Sequence, residues 1–165
     1  MGQTGKCSFS METDGSVAIL QLSGTIDEQT DFDKIFEGLE GTKKLLLNLK
    51  RVMMINSCGV RDWVNKMKEI GDSFEIEYVE CSSAIIEQLN MITNFLSSGK
   101  IVSFYAPYYC EDCDKERNKL IVIEEQFPSE EDREEPEAPD FDCPDCGKTM
   151  ELSEDEDEYF SFLSE

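Results

Sequence analysis

The chain has 165 residues, of which 15 are basic and 37 acidic, and its formal net charge is −22. This length accommodates one domain of ordinary size, or a small domain followed by a mini-domain. The charge repels nucleic acids and anionic membranes, and the absence of histidine excludes Ser–His and Cys–His catalysis, so we expect a protein that binds neither nucleic acid nor membrane and is not an enzyme.

The N-terminal elements have the pattern of a β-hairpin. Apolar and polar residues alternate in segment 6–11, and Asp14 with Gly15 indicates a turn before the apolar segment 17–22. Residues 1–5 are mostly small and polar, and we predict that they are frayed.

Helices and strands are predicted to alternate after this hairpin. Two segments repeat apolar residues at the helical spacing i, i+3, i+4 and i+7, namely Phe32, Ile35, Phe36 and Leu39, then Val60, Trp63, Val64 and Met67. A third helix begins at Ser82 or Ser83, and segments 44–49, 74–79 and 101–105 have strand-like composition. The order β-β-α-β-α-β-α-β over residues 6–105 predicts a mixed β-sheet with packed helices, an α/β fold.

Several apolar residues outside these periodic sets are assigned to the core. Cys7 and Cys81 lie in strand-like segments, and Trp63 lies on the apolar face of a helix. Met53 and Met54 are expected in the core as well, with an adaptable partner surface as their alternative role.

The composition changes beyond Pro107. Segment 128–140 contains three prolines and seven acids without a large apolar residue, so we predict a flexible acidic loop. Segment 153–165 is predicted to be an acidic tail that carries a small apolar patch. From residue 124 to the end there are 18 acids and two bases.

Four cysteines between these segments have the spacing of metal ligands. Two C-x2-C pairs are separated by 29 residues, and each pair places two sulfurs on one turn: Cys110, Cys113, Cys143 and Cys146. This pattern predicts a zinc-ribbon mini-domain over residues 106–152 with one structural Zn²⁺, since four cysteines leave no position for a catalytic water. Four unrelated reduced thiols or a redox dithiol are the alternatives.

The sequence MINSCGV, residues 54–60, precedes the second helix. Asn56 is a strong N-cap residue, which places Ser57 in the first helical turn near solvent. A phosphate on Ser57 would be tolerated at the positive helix end, although the residue can also serve only as part of the cap. Cys58, near the same helix end, is either a reactive thiol or a packing residue.

Residues 6–105 resemble the STAS family of sulfate transporters and bacterial anti-sigma-factor antagonists. The resemblance rests on the order of three segments, VAILQLSGTID, KLLLNLKRVMMINSCGVRDW and FEIEYVECSSAIIEQLNMI. In antagonists of the family an Asp-Ser motif carries the phosphorylated serine, which corresponds by position to Ser57, whereas the aspartate is Asn56 here. The resemblance implies a partner-binding surface at Asn56, Ser57, Cys58, Gly59 and Val60.

Three functions remain open at this point. The first is a cytoplasmic signalling module that binds a kinase-type anti-sigma regulator and is switched by phosphorylation of Ser57. The second is an unphosphorylated scaffold subunit of a stressosome-like or lipid-transport assembly. The third is a redox sensor based on Cys58 or on zinc release. The cytoplasmic location is expected because no secretory signal and no apolar run of about 18 residues is visible.

Overall fold

The computed structural model describes residues 1–165, which form two β-sheets and six α-helices. None of the helices combines the length and the apolar composition that crossing a membrane requires. In chain order the elements are β1 (Gly2–Thr4), β2 (Cys7–Asp14), β3 (Val17–Ile26), α1 (Phe32–Ile35), β4 (Lys44–Ile55), α2 (Ser57–Ile70), β5 (Glu75–Val79), α3 (Ser83–Met91), β6 (Lys100–Ile101), β7 (Ser103–Cys110), β8 (Lys115–Val122), α4 (Ile123–Gln126), α5 (Glu130–Glu134), β9 (Phe141–Asp142), β10 (Thr149–Leu152), α6 (Glu156–Tyr159) and a final 3-10 helix (Ser161–Ser164).

The first sheet has the order β1-β2-β3-β4-β5-β6. Strands β1 to β3 are antiparallel, and β3 to β6 are parallel, with one helix in each of the three parallel connections. Right-handed connections place α1, α2 and α3 on one face of the sheet. The mixed α/β architecture and the order of elements in residues 6–105 are therefore as predicted from the sequence.

Trp63 is the centre of the apolar core between the helices and the sheet. Its side chain is fully buried and stacks on Phe95, with ring centroids 5.6 Å apart. It also contacts Phe32 of α1 and Tyr78 of β5. The indole N–H donates to the carbonyl oxygen of Phe95 at 3.1 Å, so the one polar atom of this side chain is satisfied. The core assignment of Trp63 is confirmed, as are those of Cys7 and Cys81.

The second half of β4 departs from the alternation of a regular strand. Leu49, Val52 and Ile55 are buried, and each is separated from the next by two exposed residues rather than one. The pairing of β3 with β4 shifts register twice in this stretch, which marks two β-bulges on β4. The bulges turn Met53 and Met54 outward, with 81% and 59% of their surface exposed. The prediction that these two methionines lie in the core is therefore wrong.

The second sheet, of order β8-β7-β10-β9, grows from the edge of the first. The predicted strand 101–105 is divided at Val102, because β6 ends at Ile101 and β7 begins at Ser103. The amide of Cys81 donates to Ser103 O, and the amide of Tyr105 donates to Cys81 O, so β7 continues the first sheet before it enters the second. The predicted domain boundary at residue 105 lies within β7, and one apolar cluster runs through both sheets.

Residues 1–5, which were predicted to be frayed, form an ordered edge. They include β1, which pairs with β2. The buried hydroxyl of Thr4 accepts from the amide of Asp31 at 2.7 Å and donates to the carbonyl of Gln29 at 3.1 Å. This anchor ties the N-terminal strand to the loop before α1.

The segments predicted as a flexible loop and an acidic tail contain ordered structure. Within segment 128–140, α5 begins with a reciprocal capping box between Ser129 and Asp132. In the C-terminal segment Tyr159, Phe160 and Phe162 are buried, and all three rings contact Phe104 of β7.

Asn90 of α3 fixes the C-terminal segment by three hydrogen bonds. Its side-chain nitrogen donates to Tyr159 O at 3.0 Å, and its oxygen accepts from Phe162 N at 3.0 Å and from the Ser161 hydroxyl at 2.9 Å. The residues that these bonds hold in place are mostly apolar and follow the acidic run 154–158. The C-terminal segment therefore packs both on α3 and on the second sheet.

We expect Phe160→Ala to lower the free energy of unfolding by about 3–5 kcal/mol, because the ring is fully buried among Phe104, Phe127 and Tyr159. Urea denaturation measures the change. Ser164→Ala, an exposed change in the same segment, is the control and should stay within about 0.5 kcal/mol. Equal effects of both changes would contradict the docked position of the segment.

Candidate metal centre and docking surface

The four paired cysteines come together at one end of the second sheet. Cys110 is the last residue of β7 and Cys113 lies in the turn before β8, whereas Cys143 and Cys146 lie in the turn between β9 and β10. All four sulfurs lie within 4.8 Å of one another. Cys110 Sγ lies 3.6 Å from Cys146 Sγ, and Cys113 Sγ lies 3.8 Å from Cys143 Sγ. These separations exceed a disulfide bond of about 2.05 Å, and all the thiols are free.

Each of the two turns contains one residue with a positive φ angle, a conformation that most residues rarely adopt. Asp114 and Gly147, the residues that follow the second cysteine of each pair, have φ angles of +53° and +74°. Glycine adopts this left-handed conformation at no steric cost, and Asp is among the residues that tolerate it. In the second turn the amide of Gly147 donates to the carbonyl oxygen of Cys143 at 2.8 Å, which closes the turn around the sulfurs.

Two sets of crossed ion pairs join the turns and were missed by the sequence analysis. Asp112, in the first turn, forms an ion pair of 2.7 Å with Lys148, which follows the second turn. Asp145, in the second turn, forms ion pairs with two residues that follow the first turn, Lys115 at 3.4 Å and Arg117 at 2.8 Å. The signal was present in the sequence, because both turns read C-x-D-C-x-K. The repeated pattern gives the site an approximate two-fold relationship.

The electrostatics of the cluster suit a cation among the sulfurs. Backbone N–H groups of Asp145 and Cys146 lower the pKa of the Cys143 thiol to about 7. The hydrogen bond with Cys146, together with burial, raises the pKa of Cys113 to about 12. Thiols this close share protons when no cation is present, and a bound cation replaces those protons. Four thiolate donors favour soft or borderline metals over Mg²⁺ and Ca²⁺.

Lys148 has a position from which it supports the thiolates. Its pKa is raised by the hydrogen bond to Asp112, by the Coulomb interaction with that carboxylate and by interactions with Cys146 and Cys110. The same interactions favour the charged sulfurs. Lys148 therefore offsets part of the negative charge of the cluster in an acidic molecule.

We expect Lys148→Gln to weaken the affinity for Zn²⁺ at neutral pH by about threefold to tenfold. The effect should be smaller than that of losing a hydrogen bond to a metal ligand, because the Lys148 ammonium is exposed to solvent. A chelator competition titration measures this affinity. Lys43→Gln is the matched control, because it removes an exposed lysine outside the cluster. An unchanged affinity in Lys148→Gln would exclude an electrostatic role for this lysine.

The second candidate site lies where β4 leads into α2. The Asn56 side-chain oxygen accepts from the amide of Gly59 at 2.8 Å, as expected of an N-cap. The Asn56 side-chain nitrogen donates to Glu28 Oε2 at 2.8 Å, and this bond is the main reason that the pKa of Glu28 is lowered. Ser57 is exposed, and its hydroxyl makes no hydrogen bond within the protein. Glu28 was not identified from the sequence.

The five residues predicted to bind a partner divide into two groups. Asn56 and Cys58 are half-buried and Ser57 is exposed, so these three can contact another molecule. Gly59 and Val60 are buried, and they present no side chain to a partner. We define the β4–α2 surface as the exposed or half-buried residues Met53, Met54, Asn56, Ser57 and Cys58.

Gly59 is required by the close approach of α2 to β3. A Cβ atom at this position would lie 2.5 Å from the carbonyl oxygen of Ile26. That carbonyl also accepts from the amide of Asn56 at 3.1 Å, so it cannot withdraw without loss of a backbone hydrogen bond. The glycine therefore sets the position of the first turn of α2.

We expect Gly59→Ala to lower the free energy of unfolding by about 1–3 kcal/mol, because the new methyl group meets backbone rather than a mobile side chain. Thermal or urea unfolding checks this change. Ser57→Ala is the control, since it alters an exposed neighbour by one atom. A stabilising effect, as glycine replacement gives in an open helix, would contradict the close contact.

No protein-family model matches the chain, and no curated protein matches it.

Proposed function

We propose that this protein is a non-enzymatic regulatory module that binds another protein through the β4–α2 surface and is released when Ser57 is phosphorylated. The observation that carries the proposal is the exposed, unbonded hydroxyl of Ser57, which follows two exposed methionines by three and four residues in the chain. Surface methionines are adaptable contacts, and their burial by a partner would be favourable. The resemblance of residues 6–105 to the STAS family supports the same site and suggests a kinase-type anti-sigma regulator as the partner.

The physical effect of phosphorylation follows from the surroundings of Ser57. A phosphate would add about −1.5 to −2 charges at pH 7. In the free protein the N-terminus of the 14-residue helix α2 partly stabilises that charge. In a complex the phosphate would be desolvated against a partner that covers Met53 and Met54, and Glu28 adds a like charge nearby. Phosphorylation therefore favours the dissociated state.

A structural zinc ion is the second part of the proposal. A tetrahedral site with Zn–S bonds of about 2.3 Å has sulfur–sulfur edges of about 3.8 Å. Two sulfur pairs in the cluster are separated by 3.6 and 3.8 Å, and all four sulfurs lie within 4.8 Å of one another. The second sheet contains only four strands, two of them short, and a metal would stabilise it where its own core is small.

Zinc content is measured directly by elemental analysis of protein purified from its host. The proposal expects one zinc per chain, and loss of that zinc in Cys113→Ser. Iron in place of zinc, or no metal with a folded second sheet, would contradict it. The same chain with Cys81→Ser, which alters a fully buried cysteine outside the cluster, controls for general loss of thiols.

A constitutive scaffold subunit is the second candidate function. Both polar atoms of the Asn56 side chain are already engaged, one by Gly59 and the other by Glu28. Asn56 occupies the position of the aspartate that precedes the phosphorylated serine in STAS antagonists, so this protein has no carboxylate there. Intact mass of the protein from its native host separates the two functions, because a phosphate adduct supports the switch and its persistent absence supports the scaffold.

The partner-binding prediction is tested in two steps. A photo-crosslinking amino acid at Met54 first captures the partner, which is then purified for titration calorimetry. Ser57→Asp should weaken binding by about tenfold, because it places a negative charge in the interface. Ser57→Ala should bind as the unmodified chain does.

Ser164→Asp adds the same charge at an exposed position in the C-terminal segment and serves as the matched control. Equal affinities of Ser57→Asp and Ser164→Asp would remove the switch. Capture that is unchanged when the crosslinker is moved from Met54 to Met91, an exposed methionine outside the surface, would remove the docking site.

A further inference from the structure

A cavity of about 370 Å³ lies on the face of the first sheet that the helices leave open. It is separate from the metal cluster and from Ser57. Its walls are mixed, with the apolar side chains of Phe9 and Leu22 beside polar groups. The polar groups comprise the carboxylate of Glu80 and hydroxyl, amide and cationic groups that include those of Ser8, Ser10, Gln21, Lys50 and Arg51. The side chains of Ser8, Ser10, Gln21 and Arg51 make no hydrogen bond within the protein, so their donors are available to a ligand.

The first bulge of β4 creates the cationic end of this cavity. Gln21 pairs with Asn48, and two residues later Ser23 pairs with Arg51, so β4 contains one extra residue between these pairs. As a result Lys50 and Arg51 are both exposed although they are consecutive. Bulges commonly re-aim side chains next to functional sites.

Lys50 is held in place by a network on the cavity wall. Glu80 Oε2 lies 3.3 Å from Lys50 Nζ and accepts from the Tyr105 hydroxyl at 2.9 Å. The Lys50 ammonium also lies 5.3 Å from the centre of the Tyr105 ring. Glu80 has a φ angle of +50°, a conformation that costs free energy in a non-glycine residue and concentrates at functional sites. These contacts therefore preorganise the position of Lys50 in the absence of a ligand.

Arg51 has no carboxylate partner in a chain where acids outnumber bases by 37 to 15. Residues 41–68 contain seven bases and one acid, whereas the remainder contains eight bases and 36 acids. The two cations of the cavity, Lys50 and Arg51, therefore come from the one basic segment of an acidic protein. A guanidinium presents paired N–H donors that match the oxygens of phosphate and carboxylate groups.

We propose that this cavity binds a small phosphomonoester, with Arg51 and Lys50 on the phosphate and the serine and amide groups on the hydroxyls of the esterified molecule. A phosphomonoester fits better than a carboxylate because the walls offer more donors than two carboxylate oxygens accept. The concave shape, with a few polar groups placed among apolar ones, favours a small molecule over a flat protein surface. This site does not depend on the function proposed for Ser57.

The test uses the full-length, metal-loaded protein and nuclear magnetic resonance of its backbone amides. Glucose 6-phosphate is titrated at constant ionic strength, with glucose and inorganic phosphate as separate arms. We expect saturable shifts at Ser10, Gln21 and Asn48 with glucose 6-phosphate, weaker shifts with phosphate and none with glucose. Arg51→Gln should weaken binding by about tenfold, since it removes a charged pair with the ligand.

Lys68→Gln is the matched control, because it removes an exposed cation of α2 outside the cavity and should leave binding unchanged. The spectra themselves report whether each variant is folded. No shift at about 20 mM ligand, or equal binding by Arg51→Gln and the unmodified chain, would overturn the proposal. Tighter binding of a glutamate-rich peptide than of glucose 6-phosphate at the same residues would also overturn it and assign the surface to an acidic protein segment.

Discussion

The candidate surfaces on the first sheet depend on the two bulges in β4. The strand is the centre of the first sheet, and its inward residues must face the helices to fill the core. With two extra residues in its second half, β4 keeps Leu49, Val52 and Ile55 inside and turns both residues of each intervening pair outward. One pair is cationic and lines the polar cavity. The other consists of Met53 and Met54, which continue the strand toward Ser57 at the start of α2.

The cysteine cluster lies at one end of the second sheet and adjoins the apolar core. Cys110 and Cys143 are buried members of the same apolar cluster that contains Trp63. Strand β10 follows the second cysteine pair, bonds to β7 and leads directly into the C-terminal segment that packs on Phe104. A metal bound by the four cysteines would therefore hold the start of a chain segment that is anchored again by Asn90. The crossed pairs of Asp112 and Asp145 reinforce the two turns in an acidic environment.

The sequence predicted elements whose signal is local. The α/β order, the N-cap at Asn56 and the paired cysteines depend on spacing within a few residues, and the spatial meeting of the two cysteine pairs follows from metal chemistry. The bulges in β4 were missed because a period of three in L-K-R-V-M-M-I matches neither a strand nor a helix. The ion pairs between the turns and the docking of Phe160 join residues far apart in sequence, so no local pattern contains them. The repeated C-x-D-C-x-K pattern was the one available clue.

The arrangement of β4 is tested most directly by the solvent exposure of the seven methionine methyl groups. In a spectrum of methyl-labelled methionine, a soluble paramagnetic agent broadens exposed signals and spares buried ones. The structure predicts strong broadening of Met53 and Met54, comparable with that of Met91, while Met67 and Met150 remain sharp. Protection of either Met53 or Met54 would mean that the second bulge is absent and that β4 alternates regularly beyond Val52, and the β4–α2 surface would then be lost.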